Sequence, residues 1–389
     1  MSPTDVTAHA PDPWSTPDRV ALRRLARDFV AREIAPNMAE WERDGELPRD
    51  LHRKAAGAGL LGVGFAEEVG GSGGNAIDSA VMTEEILHGG GSTGVCASLF
   101  THGIAVPHIA AHGSAELVDR YVRPTLAGEL IGSLAVTEPG GGSDVANLRT
   151  RAVREGDEYV VNGAKTFITS GVRADFVTTA VRTGGPGHGG VSLLVIDTNT
   201  PGFSVSRRLD KMGWRCSDTA ELAFTDVRVP AAQLVGTENS GFVQIMQQFQ
   251  SERIGLAVQA YATAARALDL ALGWARDRET FGRPLSSRQV IRHKLAEMAR
   301  QVDVARTYTR AVAQRYLAGE DVVTEVSMAK NTAVYACDFV VDEAVQIFGG
   351  MGYMRESEVE RHYRDARILG IGGGANEIMN EVISKRMGL

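Results

Sequence analysis

Glu252 and Arg253 sit side by side in QQFQSERIGLAVQA, residues 247–260, within a span whose apolar residues recur at helical spacing. A Glu-Arg pair on a helix is most often a solvated ion pair. Here Phe249, Ile254, Leu256, Ala257 and Val258 leave little polar surface around the carboxylate. Desolvation raises a carboxyl pKa toward neutrality, where it can serve as a general base. A second stretch, SLAVTEPGGGSDVANLRT (133–150), is followed by NGAKTFITSG (162–171). Its glycines allow close approach to the backbone, and the hydroxyls of Thr137, Ser143, Thr166 and Thr169 could bond the heteroatoms of a flat or phosphorylated ligand. The same residues also suit a plain hairpin turn. A third stretch, ILGIGGGANEI (368–378), formally matches a dinucleotide fingerprint from Gly370 to Ala375. Too little chain follows for the βαβ unit which that fingerprint needs, so its glycines require another purpose.

Composition narrows the classes. The 389 residues, 43% hydrophobic, can bury a large core, and the net charge of −7 with a pI near 5.8 disfavours a nucleic-acid surface. Cys96, Cys216 and Cys337 lie far apart, which suggests neither a disulfide framework nor a zinc site. His102, His108 and His112 read as ordinary helix residues, so no metal is expected. The polar, proline-rich start and the lack of a long apolar run lead us to expect a cytoplasmic protein, not associated with membranes, whose residues 1–16 form a disordered tail.

Periodicity divides the chain into three regions. Thr16 can cap a helix with Pro17 at its first position, and Val20, Leu22, Leu25, Phe29, Val30 and Ile34 recur at helical spacing. Helical patches continue through LPRDLHRKAAGAGL, AIDSAVMTEEILHGG and AELVDRYVRPTLAG, making 17–130 an N-terminal helical domain. Over 131–240 the period becomes two, in EYVVNG, DFVTTAVRT, VSLLVID and ELAFTDVRV. With no helix between these strands the sheet should be antiparallel, and Asn162-Gly163 signals a hairpin turn. GGPGHGG (184–190) reads as an exposed loop. From 241 to 389, spans near 242–277, 287–318, 322–347 and beyond 375 predict a C-terminal four-helix bundle. The fold class is therefore mainly α with a central β domain.

Five motifs in series carry a resemblance. AVTEPGGGSD with KTFITSG, RETFGRPLSSRQ (278–289), QIFGGMGY (346–353) and RDARILGIGGGANEI (364–378) resemble, in order and over nearly the whole chain, the acyl-CoA dehydrogenases. The resemblance implies the same three-domain architecture, with FAD held where the β domain meets the C-terminal helices. It implies α,β-dehydrogenation of an acyl-CoA thioester to the 2,3-enoyl-CoA, with an electron-transferring flavoprotein as electron acceptor. By motif, Leu134, Val136, Thr137, Gly142 and Ser143 would line the isoalloxazine and pyrophosphate, joined by Phe167, Ile168 and Thr169. Ser143 would also approach the pantetheine. Arg278, Phe281, Gln289, Gln346, Gly349 and Gly350 would reach the FAD of a neighbouring subunit, which implies a homo-oligomer, usually a tetramer. Ala375 and Glu377 occupy a Thr-x-Glu position, where Ala375 lacks the usual hydroxyl.

Many members carry the catalytic glutamate in the last loop, where this chain has Gly373. The chain resembles the members acting on isovaleryl-CoA and long-chain acyl-CoA, which carry it on the first long C-terminal helix, and Glu252 falls on that position. By the same resemblance Gln250, Arg253, Gly373 and Gly374 join Ser143 at the substrate, expected to be a medium, long or branched acyl chain. The late glycines would then keep side chains out of the space that Glu252 must reach. Glu138 reads as a turn carboxylate rather than a second base. A flavin oxidase or monooxygenase on the same scaffold, or a non-catalytic flavoprotein of stress protection, would share these motifs.

Overall fold

Thr16 caps the first helix, its hydroxyl accepting from the Arg19 amide at 3.4 Å, and α1 spans Pro17–Phe29 in the computed structural model, which describes residues 12–389. Of the expected disordered tail, residues 1–11 lie outside the described residues, whereas 12–16 form a turn. There Trp14 is buried to 2% exposure, with the Arg310 guanidinium 4.6 Å over its ring. The apolar face expected for α1 is narrower in the structure. Phe29, Val30 and Ile34 are buried, whereas Val20 and Leu25 face solvent as isolated apolar residues, which surfaces tolerate. Asn75 and Asp78 form a capping box at the start of α2 (Ala76–His88).

The middle region is one seven-stranded sheet. Its strands are β1 (Gly132–Ala135), β2 (Arg151–Glu155), β3 (Glu158–Thr169), β4 (Phe176–Arg182), β5 (Val191–Asp197), β6 (Phe203–Arg208) and β7 (Thr219–Pro230), in the order β1-β4-β2-β3-β7-β6 with β5 on β4. Most pairs are antiparallel, but β1 and β4 run parallel, and β2 touches β4 in the same sense. The expectation of a wholly antiparallel sheet overlooked that the β2–β3 hairpin can itself serve as the long crossover a parallel pair requires. Asn162-Gly163 is not a hairpin turn. It lies inside β3 at a register shift, where a Cβ on Gly163 would press on Thr150, and Asn162 pairs with Asp226 on β7. The β2–β3 turn falls instead at Gly156-Asp157, with Gly156 at φ +64°.

The C-terminal helices are α3 (Gly241–Asp277), α4 (Gln289–Leu317), α5 (Val323–Phe348), α6 (Glu358–Ala366) and α7 (Asn376–Arg386). The short α6 joins the four that the periodicity indicates. Ala260, Ala264, Ala267 and Ala271 of α3 are fully buried, as are Ala333 and Ala344 of α5. Small residues at helical spacing let these two long helices approach closely.

One apolar core runs without a break through both helical regions, including Trp14, Val81 and Leu87 together with Ala257, Val334 and Leu369. Glu84 of α2 ties them further: it accepts from the Tyr261 hydroxyl of α3 and the Arg310 guanidinium of α4, each at 2.6 Å. The two helical regions therefore form one frame around the sheet. Replacing Trp14 by Ala should destabilise the protein by about 3 kcal/mol or more, as expected for a buried aromatic residue. An unchanged urea midpoint would show that the N-terminal turn is not part of this frame.

Candidate active site

The carboxylate of Glu252 faces backbone with no side chain. Gly373 and Gly374 adopt φ of +63° and +98°, the left-handed region that residues with a Cβ avoid. A Cβ on Gly373 would overlap Leu256 Cδ1 and stand 3.4 Å from Glu252 Oε1. The glycine therefore preserves the space in front of the acid. Three side chains hold the loop. Arg253, almost fully buried, directs Nε at the Gly373 carbonyl at 3.4 Å and lies 5.6 Å over the Phe249 ring. Lys330 of α5, with no exposed surface, donates Nζ to the Gly374 carbonyl at 2.6 Å. Asn331 donates to the Asn376 carbonyl at 3.0 Å and to Asn380 Oδ1 at 2.9 Å. The sequence suggests that Arg253 steadies the loop or the CoA side, with a solvated ion pair as the plainer alternative; its guanidinium lies against the glycine loop.

Burial pushes the Glu252 carboxyl up to about 7, against the opposing attraction of Arg253 and Lys330. The side chain retains a partial opening to solvent, yet protein surrounds the carboxyl on its other sides. Crowding dominates, because no hydrogen bond from the described residues stabilises the ionised form. Burial likewise lowers Lys330 to about 8.

The glycine-rich turn and the second motif form a single face of the sheet. The Thr166 amide donates to the Thr137 carbonyl at 2.9 Å, and Lys165 Nζ reaches the Val136 carbonyl at 2.9 Å and Glu138 Oε1 at 2.8 Å. Glu138 also accepts from the amides of Arg149 and Thr150, so its carboxylate is committed to shaping the turn. A register shift between Lys165 and Ile168 turns Phe167 outward, 68% exposed at φ +61°. The strained backbone and the exposed ring mark a binding face. Ile168, by contrast, is buried in the sheet core with Ala135 and Ala220, so it can offer a ligand only its backbone. Val136 and Phe249 pack on one shared cluster, which joins this turn to the half of α3 that carries Glu252.

These residues fit FAD. Nothing lies within 4 Å of a Cβ built on Gly140 or Gly141, and Gly142 would meet only Thr137 Cγ2 at 3.5 Å, so a ligand can approach the turn closely, although the Gly141 amide already donates to the Glu138 carbonyl at 3.1 Å. Ala375 caps α7 without a side-chain hydrogen bond, leaving the first amides of that helix free for an anion. Beside them Asn376 Oδ1 is buried without a partner. Leu134, Ser143, Thr169 and Glu377 lie on the same strand ends, turn and helix start. Gln250 is half-buried on α3, two residues before Glu252.

A second group lies elsewhere. Trp274 and Phe348 stack at 4.7 Å, bringing the end of α3 to the end of α5 and thus Arg278 and Phe281 to Gln346, Gly349 and Gly350. Gln289 lines a groove there with His293, Lys294 and Phe339. Phe281 is 97% exposed at φ +51°. At about 1.5 Å per residue, the helix separates Arg278 from Glu252 by about 39 Å. The two groups therefore do not converge within one chain.

Lys330 and Asn331 belong to the glycine-loop site and were missed by the sequence reading, whereas Leu256 was already legible as an apolar neighbour of Glu252. The one signal was a lysine in VSMAKNTAVYA, an otherwise small and apolar helical run. Gly373→Ala should cost about 1–2 kcal/mol through the left-handed backbone alone. An unaltered urea midpoint would show that the loop tolerates a side chain. The folded Glu252 titrates above the unfolded value of 4.5, so its protonation favours the fold. That contribution is complete below pH 4.5 and lost as the pH rises through about 7. Glu252→Gln should therefore raise Tm at pH 8 and leave it nearly unchanged at pH 4.5; equal shifts at both would place the carboxyl in water.

Profiles of the acyl-CoA dehydrogenase N-terminal, middle and C-terminal domains match residues 16–129, 133–227 and 239–388. A crystal structure of a probable acyl-CoA dehydrogenase from Mycobacterium abscessus is 82% identical, covering 96% of this chain and 100% of its own, with a TM-score of 0.96. The mouse (Mus musculus) mitochondrial long-chain specific acyl-CoA dehydrogenase is 38% identical over 94% of this chain and 85% of its own. A glutaryl-CoA dehydrogenase from Mycobacterium smegmatis, solved in complex with FADH2, is 26% identical over 96% and 95% of the two chains, with a TM-score of 0.86. The chain belongs to the acyl-CoA dehydrogenase family.

Proposed function

We propose that this enzyme binds FAD and dehydrogenates a medium, long or branched acyl-CoA thioester to the trans-2-enoyl-CoA, with Glu252 as the base. The observation that carries this reading is the 3.4 Å between Glu252 Oε1 and the Cβ position that Gly373 leaves bare. A crowded carboxyl facing a side-chain-free gap suits removal of the α-proton of a thioester, and its pKa of about 7 matches base catalysis near neutrality. The Cα–H bond electrons form the new double bond as the β-hydrogen leaves with its electron pair, and the proton stays on Glu252. When bound, FAD supplies the acceptor for that hydride. Thr137, Gly142, Ser143 and the outward Phe167 would hold the flavin on the sheet, and the open start of α7 with Glu377 would approach it from the helices.

The separation of Arg278, Phe281 and Gln346 from Glu252 supports an oligomer in which each subunit lends that group to a neighbour's FAD. Exposed Phe281, Tyr353 and Val290 supply an apolar surface for such contact. An electron-transferring flavoprotein is the proposed oxidant, and the cytoplasm the proposed compartment.

Anaerobic mixing with a panel of acyl-CoA thioesters tests the activity: medium, long or branched chains should bleach the flavin promptly and yield enoyl-CoA. Reduction by NAD(P)H alone would assign the chain to oxygen-using chemistry instead. Glu252→Gln should keep FAD and acyl-CoA binding while slowing flavin reduction by about 10²-fold to 10⁴-fold. In the wild type kcat/KM should rise with pH through about 7 and then level, as the carboxyl ionises. Full activity in the variant would transfer the role to another group.

A further inference from the structure

We propose that Lys330 is a positioning residue for the base: its ammonium pins the Gly374 carbonyl and supplies a positive charge that favours the ionised Glu252 carboxylate. The inference rests on Glu252 being the base. Burying a lysine is costly unless its charge is compensated. Lys330 has no exposed surface and, among the described residues, forms no ion pair within 4.0 Å; its partner is the Gly374 carbonyl at 2.6 Å. A tether alone does not require charge, since neighbouring Asn331 holds the start of α7 with a neutral amide. The charged groups that face Lys330 explain the cation: Glu252 and Arg253 from α3 and Glu377 from α7. With Glu252 ionised, two cations meet two anions. With Glu252 protonated, one positive charge is left over. The cluster therefore opposes protonation of the base before substrate arrives. By holding Gly374, Lys330 also keeps the adjacent Gly373 clear of the acid.

The test uses holoenzyme with Lys330→Met, Lys330→Gln and Lys330→Arg. Glu252 is titrated by its infrared carboxyl band, identified by its loss in Glu252→Gln, alongside the pH profile of flavin reduction. The two neutral variants should move the Glu252 titration and the acid limb of the rate upward by about one pH unit, as expected for loss of a nearby opposite charge, which is about tenfold in rate on that limb. Lys330→Arg should stay at the wild-type position. Folded Lys330→Gln with an unmoved titration overturns the proposal, because a purely structural lysine would alter stability and not this profile. Should neither neutral variant fold, potentiometric titration of Glu252→Gln against wild type decides. Loss of the carboxylate must move the Lys330 proton, which leaves near pH 8, to lower pH; an unmoved proton overturns the coupling. A fully active Glu252→Gln would remove the base itself. An inactive one with unmoved Lys330 variants would remove only this inference.

Discussion

The site depends on keeping one carboxyl short of solvation without leaving it stranded. An isolated acid in such surroundings would stay protonated well past neutrality, and a well-paired one would be too weak a base. Glu252 lies between these limits because it receives no hydrogen bond from the described residues yet lies within the field of two cations committed elsewhere, Arg253 to Gly373 and Lys330 to Gly374. Distant charge favours ionisation, whereas a direct ion pair would consume the lone pair that, in the proposed reaction, takes the proton. The glycine loop thus has two functions: its missing side chains open the space, and its carbonyls occupy the cations.

The frame around this loop explains why it can be held. Left-handed glycines are entropically costly and would be mobile in isolation. Here α3, α5 and α7 enclose them, and the continuous core from Trp14 to Leu369 keeps those helices in register with the N-terminal helices. The sheet has its own core on one side and shares a second with the helices on the other, and its bulge at Phe167 presents strained backbone where a rigid strand alone would present a flat edge. Helices and sheet therefore meet along a shared apolar seam, with the acid on one side and the glycine-rich turn on the other.

Much of this was legible in the residues. The helical periods located α3, α4, α5 and α7 closely, and the capping signal at Thr16-Pro17 started α1 where it begins. Glu138 was readable as a turn carboxylate from its place between a strand end and three glycines, and it accepts from the Arg149 and Thr150 amides where the chain enters β2. Features set by long-range pairing were hidden. Whether β1 lies parallel to β4 depends on which strands meet, and no local pattern encodes that. Asn162-Gly163 has the composition of a turn but serves a bulge, since Thr150, just before β2, crowds it. Trp14 resembled part of a polar tail because its partner Arg310 comes from α4, far along the chain. Lys330 was overlooked for the same reason: its meaning lies in residues of two other helices.

The overlap between a Cβ at position 373 and Leu256 bears on how base placement changes over descent. Moving the acid from the helix to the loop would require the Leu256 side chain to shift or shrink, relief of the left-handed backbone and loss of Glu252. Intermediates along that route would carry either no proton acceptor or two mutually repelling ones. On the proposed assignment of the base, its position is thus tied to residues 252, 256 and 373 together rather than to any one of them.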